Sequence, residues 1–506
     1  MTPELEKQKK IIYDTLTECE KYTHAVHVLN FDEETICPED AMEEQGELIS
    51  FLSNKAFVLT KDKAFEEAVI TLHENNEKLD DSDKPLIDRL YRDYLQTKNV
   101  TPEQDLAFRK VYSKAFVDWL SAKKAADFSL FRVSLAKVKE TQLKEVSLWE
   151  YEGEKPASAY NALLNAYERG VTTDDLDKAF GAFKERMTPL LSAIQKSKKK
   201  IRTDFLSREV TDEQQKAMAD YLLHLIGYDF KRGAFTTTEH PFTDSLGRND
   251  ARVTTHYYPT MFLSSMFSII HEGGHALFMQ QQPRADFDHF VNDLQTNAMH
   301  ESVSRFYENR IGRSKAFIHL IYPKCCEIFP QVFTDVSEQE LYEAVNVVEP
   351  SLIRTEADEF TYTFHIIIRY ELEKELVDGG LAVDDKLPEK WNSLYEKYLG
   401  VRPKSDKEGI LQDVHWADGF GYFQAYAIGN MYNAMYYNRM KEDLDIDAEA
   451  AAGNFGKINS WMAEHVFKKA NYMAPKDWIR DITGRDFTPD DFLDYLTEKY
   501  TALYEL

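Results

Sequence analysis

The sequence predicts a mainly α-helical protein with one small β-sheet. Three observations predict it. Apolar residues recur at helical spacing over most of the 506 residues. The joints between these segments are short and polar, with Thr, Ser or Asp where a helix begins. Only residues 228–259 depart from the Lys/Glu/Leu background: Thr, Tyr, Phe, Gly and Pro take over, and Arg252-Val-Thr-Thr-His-Tyr-Tyr258 favours extended backbone.

Taken in order, an amphipathic segment runs from Glu4 to Val28, followed by the irregular Leu29 to Pro38 and a helix over residues 38–54. The helical pattern continues near 61–78, 82–97, 102–124 and 127–148, with Asp80 to Asp83 reading as a cap. Tyr160 to Tyr167 forms another helix, and a Thr or Asp cap within residues 170–177 opens a long one reaching the basic run Lys196 to Arg202. Beyond the extended region, residues 261–282 are helical, with Phe262, Met266, Ile269 and Phe278 as apolar positions and Pro283 as terminator. Helices are expected over 297–315, 337–347 and 354–377, the last ended by Gly379-Gly380. Residues 400–421 read as an irregular loop, and helices resume to the end. A strand beginning at Arg252 is expected to offer an edge to an extended peptide.

Composition narrows the function. There are 61 basic and 87 acidic side chains, a formal charge of −26, which repels phosphate backbones and anionic lipid. Nucleic-acid and membrane partners are therefore not expected. The charged N-terminus lacks the apolar stretch of a signal peptide, and four irregularly placed cysteines (Cys19, Cys37, Cys325, Cys326) suit a reducing, cytoplasmic setting. The alternating Asp443, Asp445 and Asp447 lack the Gly and Glu of a calcium loop and read as a solvated turn.

The chemistry concentrates in His271-Glu272-Gly273-Gly274-His275. Two histidines four apart stand one turn above each other on one helix face, so both imidazoles reach a single metal ion. Glu272 is then placed to act on a water at the metal rather than to ligate it. This is the H-E-x-x-H pattern of a zinc peptidase. The two interior glycines cost about 1 kcal/mol each relative to alanine, and clearance for substrate or backbone would explain them. A third ligand is needed, and the following segment offers His300, Glu301 and Glu308. Glu301 lies 26 residues beyond His275, enough for a helix end, a loop and a return, whereas Glu308 is better placed behind the ligands.

With these residues on the page the chain resembles the carboxypeptidase Taq family of metallocarboxypeptidases over nearly its whole length. Five signatures stand in the family's order. Asp250-Ala-Arg252-Val-Thr254 is similar to D-x-R-x-T, and His271 to His275 is the metal motif. His300-Glu301-Ser302 begins H-E-S-Q, Ile353-Arg354-Thr-Glu-Ala357-Asp358 is similar to I-R-x-x-A-D, and Gly409-Ile-Leu-Gln412-Asp413-Val-His415-Trp416 to G-x-x-Q-D-x-H-W. The resemblance implies His271, His275 and Glu301 as ligands of one zinc, or cobalt in its place, and Glu272 as general base. It implies one catalytic unit over residues 1–506, two helical lobes flanking a deep substrate groove with the small sheet beside the zinc helix, similar to neurolysin and angiotensin-converting enzyme, and a homodimer.

His415 and Tyr422 are candidates for stabilising the oxyanion, by similarity to the His and Tyr of related helical peptidases. Arg354 and Arg252 are candidates for the substrate's terminal carboxylate, since a guanidinium offers a bidentate fork; Asp358, one turn after Arg354, is a candidate ion-pair partner. Val303 replaces the family's Gln, Phe31 and Cys37 replace Trp and Met, and Gly421-Tyr-Phe-Gln-Ala-Tyr426 departs from G-Y-F-P-T-Y. These departures bear on substrate preference and leave the reaction intact. The expected reaction is release of single C-terminal residues from short peptides. The alternatives are a zinc oligopeptidase cutting internally and a helical peptide-binding protein without catalysis.

Overall fold

The computed structural model describes residues 2–506. It begins with α1 (Pro3–Thr35), where the Thr2 hydroxyl accepts from the Leu5 amide and Pro3 occupies the first turn. Residues 29–35 therefore continue the helix instead of forming the expected irregular stretch. A tertiary contact holds them there: Phe31 is buried edge-on against Phe242. Next come α2 (Met42–Thr60), α3 (Lys63–His73) and α4 (Lys84–Thr97). Asp83 does not cap α4 as expected. It is buried and accepts from Lys9 and Tyr13 of α1, tying the two helices together. Leu5, Ile12, Phe65, Leu72 and Leu86 build a small core of their own with Val291, separate from the main one.

The main core starts with α5 (Pro102–Ala125), α6 (Ser129–Leu148), α7 (Ala159–Tyr167), α8 (Thr173–Lys196) and α9 (Asp212–Ile226). Reciprocal caps open three of these: Thr101 with Gln104, Thr172 with Asp175, and Thr211 with Gln214. The expected sheet follows as β1 (Phe235–Thr237), β2 (Thr243–Gly247) and β3 (Asp250–Thr255). Its order is β1-β3-β2, with β1 parallel and β2 antiparallel to β3. The strand carrying Arg252 is thus central, and the expectation that it offers a free edge is corrected. Both of its rows of backbone groups are already paired.

Helix α10 (Phe262–Gln281) carries the metal motif and is buried on nearly every face. After the short α11 (Arg284–Asp288) comes α12 (Asn297–Arg305), which passes at Phe306–Ile311 into a π-helical turn. The single helix expected over 297–315 is therefore interrupted. Then follow α13 (Lys315–Ile328), α14 (Glu338–Val345), α15 (Tyr362–Val377) and α16 (Leu387–Leu399). Helix α15 begins eight residues later than the sequence pattern suggested, because Asp358 accepts from the Phe360 and Thr361 amides and the Thr361 hydroxyl. Residues 400–423 form the expected irregular connection to α17 (Gln424–Asp443). Helices α18 (Ile446–Ala451), α19 (Phe455–Met462), α20 (Lys468–Ala470), α21 (Pro475–Thr483) and α22 (Asp490–Tyr504) complete the chain.

The glycines of α10 serve packing: of the two expected reasons, substrate or backbone, Gly274 meets the second and neither meets the first. A Cβ on Gly273 would lie 2.6 Å from Cδ1 of Ile226 on α9. One on Gly274 would lie 2.9 Å from the backbone Cα of Ser304 on α12. A side-chain end can rotate away, but a buried backbone cannot. We therefore expect Gly274→Ala to lower stability by about 1–3 kcal/mol through overpacking and to reduce bound metal as well, with Gly273→Ala milder. Thermal melts and metal content measured on both variants check this, and wild-type values for Gly274→Ala would refute it.

Candidate metal centre and active site

Helices α10 and α12 bring three side chains to one point. The candidate ligand atoms of His271, His275 and Glu301 lie within 4.8 Å of one another. Both histidines turn Nε2 toward the same carboxylate oxygen, at 3.6 Å from His271 and 3.4 Å from His275 to Glu301 Oε2. Two imidazoles and a carboxylate are a donor set suited to a divalent ion with an open position.

The opposite side of each ligand is held. His271 Nδ1 lies 2.9 Å from Glu308 Oε2, which fixes the tautomer that leaves Nε2 free. His275 Nδ1 meets Nδ1 of half-buried His300. Burial opposes charging His271, but Glu301 and Glu308 outweigh it and draw its pKa upward. Glu301 is likewise buried against its ionisation, yet His271 and Arg305 keep it ionised well below the usual carboxylate range. Arg305 Nε donates to Glu301 Oε1 at 2.8 Å, while Oε2, which accepts from Ser304 Oγ at 3.0 Å, is the oxygen that faces both histidines. Glu272 sits beside the triad, its Oε2 accepting from Thr243 Oγ1 of β2 at 2.7 Å. The small sheet thereby aims the candidate base.

The N-terminus of α12 has an unexpected partner. Its own cap residue Thr296 makes no capping bond, and Glu168, just after α7, accepts from the Ala298 amide instead. Glu168 is completely buried, and burial pushes its carboxyl up to about 8. At neutral pH that carboxyl is mainly protonated, so it serves α12 as a hydrogen-bond acceptor rather than as a charge at the helix dipole.

A second cluster adjoins the triad through Arg305, whose guanidinium lies 4.1 Å from the Tyr362 ring centroid. Tyr362 Oη accepts from Arg354 Nη1 at 3.0 Å. Arg354 bonds Asp413 Oδ1 through Nε and Nη2 rather than the expected Asp358, because the late start of α15 leaves Asp358 capping backbone. Arg369 takes the other oxygen of Asp413. Burial and the neighbouring Arg354 draw His415 down to about 4, so its imidazole is neutral at neutral pH. His415 Nε2 lies 3.4 Å from Tyr426 Oη, and its buried Nδ1 has no partner within the protein. Tyr422 packs beside His415 with ring centroids 5.3 Å apart; its hydroxyl pKa is raised by burial, with Glu301 adding to it.

Arg252 makes its contacts elsewhere, on Asp250 at 2.9 Å and over the Phe31 ring at 5.0 Å. The sequence alone assigns Thr243 no role. Arg305, Arg369 and Glu168 carried no sequence signal, since each acts through a partner brought near by folding.

The model of the carboxypeptidase Taq (M32) metallopeptidase family matches residues 12–500. The chain belongs to this family. Carboxypeptidase 1 of Bacillus subtilis is 38% identical over 505 residues, 99% of this chain and 100% of the relative. Thermostable carboxypeptidase 1 of Pyrococcus furiosus is 34% identical over 491 residues, covering 94% of this chain and 95% of the relative. The crystal structure of an M32 carboxypeptidase from Deinococcus radiodurans R1 superimposes with a TM-score of 0.94 at 30% identity, covering 99% of this chain and all (100%) of that one.

As a member of the carboxypeptidase Taq family the chain is a metallopeptidase, with a divalent ion implied and the carboxypeptidase reading favoured over the oligopeptidase. These neighbours do not address the expected likeness to neurolysin. No helix among the described residues is long and apolar enough to cross a membrane.

Proposed function

We propose that this enzyme is a zinc carboxypeptidase that removes single C-terminal residues from short peptides, with His271, His275 and Glu301 as ligands and Glu272 as general base. The observation that carries the choice of substrate end is the sharing of one carboxylate, Asp413, by two buried guanidiniums, Arg354 and Arg369. With His415 neutral, that wall has a positive charge in excess, which a peptide's terminal carboxylate would balance. Arg354 adjoins the metal centre through Tyr362 and Arg305, so we assign the carboxylate to it. Arg252, already paired with Asp250, is given a supporting role along the substrate.

Bound zinc would supply a Lewis acid and lower the pKa of a water to about 7; cobalt would suit the same donors. Glu272, steadied by Thr243, takes the water's proton and passes it to the leaving amine. His415 and Tyr422 Oη then donate to the carbonyl oxygen as it gains charge.

Mass spectrometry of two peptides, one with a free and one with an amidated C-terminus, tests the reading. The free peptide should lose residues one at a time, the amidated one should survive, and a chelator should stop the reaction until zinc is restored. Internal cleavage of the amidated peptide would favour the oligopeptidase instead.

We also infer a homodimer, supported by an exposed apolar strip along α2, α5 and α6 that includes Phe51, Val58, Val117, Leu130 and Val133. The Arg109 guanidinium of α5 stacks on Phe57 of α2, which links those two helices. Light scattering at micromolar concentration tests it, a monomer mass counting against it. Four unpaired thiols support a cytoplasmic setting, checked by fractionation.

A further inference from the structure

The segment between His415 and Tyr422 is fastened at both ends to one buried carboxylate. Glu373, on α15, has no exposed surface. Its Oε1 accepts from the Trp416 indole Nε1 at 2.8 Å. Its Oε2 accepts from the Gly421 amide at 3.0 Å and from Tyr160 Oη at 2.9 Å. Trp416 directly follows His415, and Gly421 directly precedes Tyr422. Between these anchors Gln142 of α6 grips the Phe420 peptide, accepting from its amide at 2.9 Å and donating to its carbonyl at 3.3 Å. The backbone is bent to suit: Gly421 has φ +102°, and a Cβ there would stand 3.0 Å from Leu163.

We propose that Glu373 is a positioning residue, which sets His415 and Tyr422 at the spacing needed to receive the substrate's carbonyl oxygen. This rests on the reading of those two side chains given above. The chemistry explains why a carboxylate stands here. Trp416 Nε1 and the Gly421 amide can only donate, so the group between them must offer acceptors on both oxygens. A carboxamide of the same size offers one acceptor, and its NH2 would face a donor across whichever bond it occupied. A buried carboxylate without a hydrogen-bonded cation is costly, and Arg369 only acts on it at longer range. Burial pushes its carboxyl up to about 7. Such a group fits a need for geometry better than a need for stability.

The test compares Glu373→Gln, Trp416→Phe, their double variant, His415→Ala and Tyr422→Phe in the metal-loaded enzyme, on a short peptide with a free C-terminus. Removing one oxyanion donor typically lowers kcat by about 100- to 1,000-fold, so misplacing the pair should lower it at least about 10-fold. For Glu373→Gln we expect that loss with KM within about threefold of wild type and full metal content. Trp416→Phe should fall in the same direction, and the double variant should be no worse than Glu373→Gln. Wild-type kcat in Glu373→Gln, while His415→Ala and Tyr422→Phe are impaired, would overturn the positioning role and leave the oxyanion reading standing. Wild-type kcat in His415→Ala and Tyr422→Phe would sink that reading and the positioning role with it. Should Glu373→Gln not fold, Trp416→Phe decides by the same measurements, because it removes one fastening and leaves the carboxylate in place.

Discussion

Glu272→Gln is expected to hold metal at wild-type stoichiometry while kcat falls by about 100- to 10,000-fold, the range supplied by a positioned general base. The carboxamide oxygen can still accept from Thr243 Oγ1, now 2.7 Å from Glu272 Oε2, so the side chain should keep its place. What it loses is the capacity to take a proton. KM should change little, since Glu272 acts on the water and leaves substrate binding to others. Metal analysis beside steady-state kinetics makes the check, and turnover near wild type would remove Glu272 from the proposed role.

Glu301→Ala should abolish both metal binding and activity. It deletes the oxygen that faces both His271 and His275, and it also takes from Arg305 the acceptor at 2.8 Å. Arg305 would then have only Glu308 among its carboxylates, at 3.1 Å. Glu308→Ala should behave differently. It removes the group behind His271 and keeps all three ligands, so affinity should weaken by about 10- to 100-fold without being lost. Competition with a chelator of known affinity separates the two. Stoichiometric metal in Glu301→Ala, or none in Glu308→Ala, would reverse the assignment.

The parts of this site that could be read beforehand are those set by local spacing. His271 and His275 share a face because a helix turns every 3.6 residues, and no tertiary contact is needed to know it. The Thr cap within residues 170–177, which proves to be Thr172, was legible for the same reason. Glu301 needed more, a return of the chain across 26 residues; that spacing favoured it over Glu308, and the family resemblance pointed to the same residue.

What remained hidden depended on partners far along the chain. Apolar periodicity carried α15 back to Arg354, but Asp358 takes up the amides that a continuous helix would have used. Arg354 is thereby freed to meet Asp413, 59 residues later. The central place of β3 was missed because β1, which pairs with it, is three residues long and leaves no alternation to detect. Gly274 was open to two readings, an approach of substrate or of backbone, because a sequence does not say which neighbour comes close.

Helix α12 has a matching glycine on its other side. A Cβ on Gly429 of α17 would lie 3.1 Å from the Ser302 amide nitrogen and 3.2 Å from Cγ of Glu301 itself. The segment bearing Glu301, the proposed third ligand, is therefore wedged between two helices at backbone contact, one glycine on each flank. Such a wedge freezes the carboxylate before any ion arrives, so little reorganisation entropy is left to lose on binding. Loading and unloading the centre then becomes an exchange at a rigid seat, and an ion of unsuitable radius cannot recruit the backbone to accommodate it.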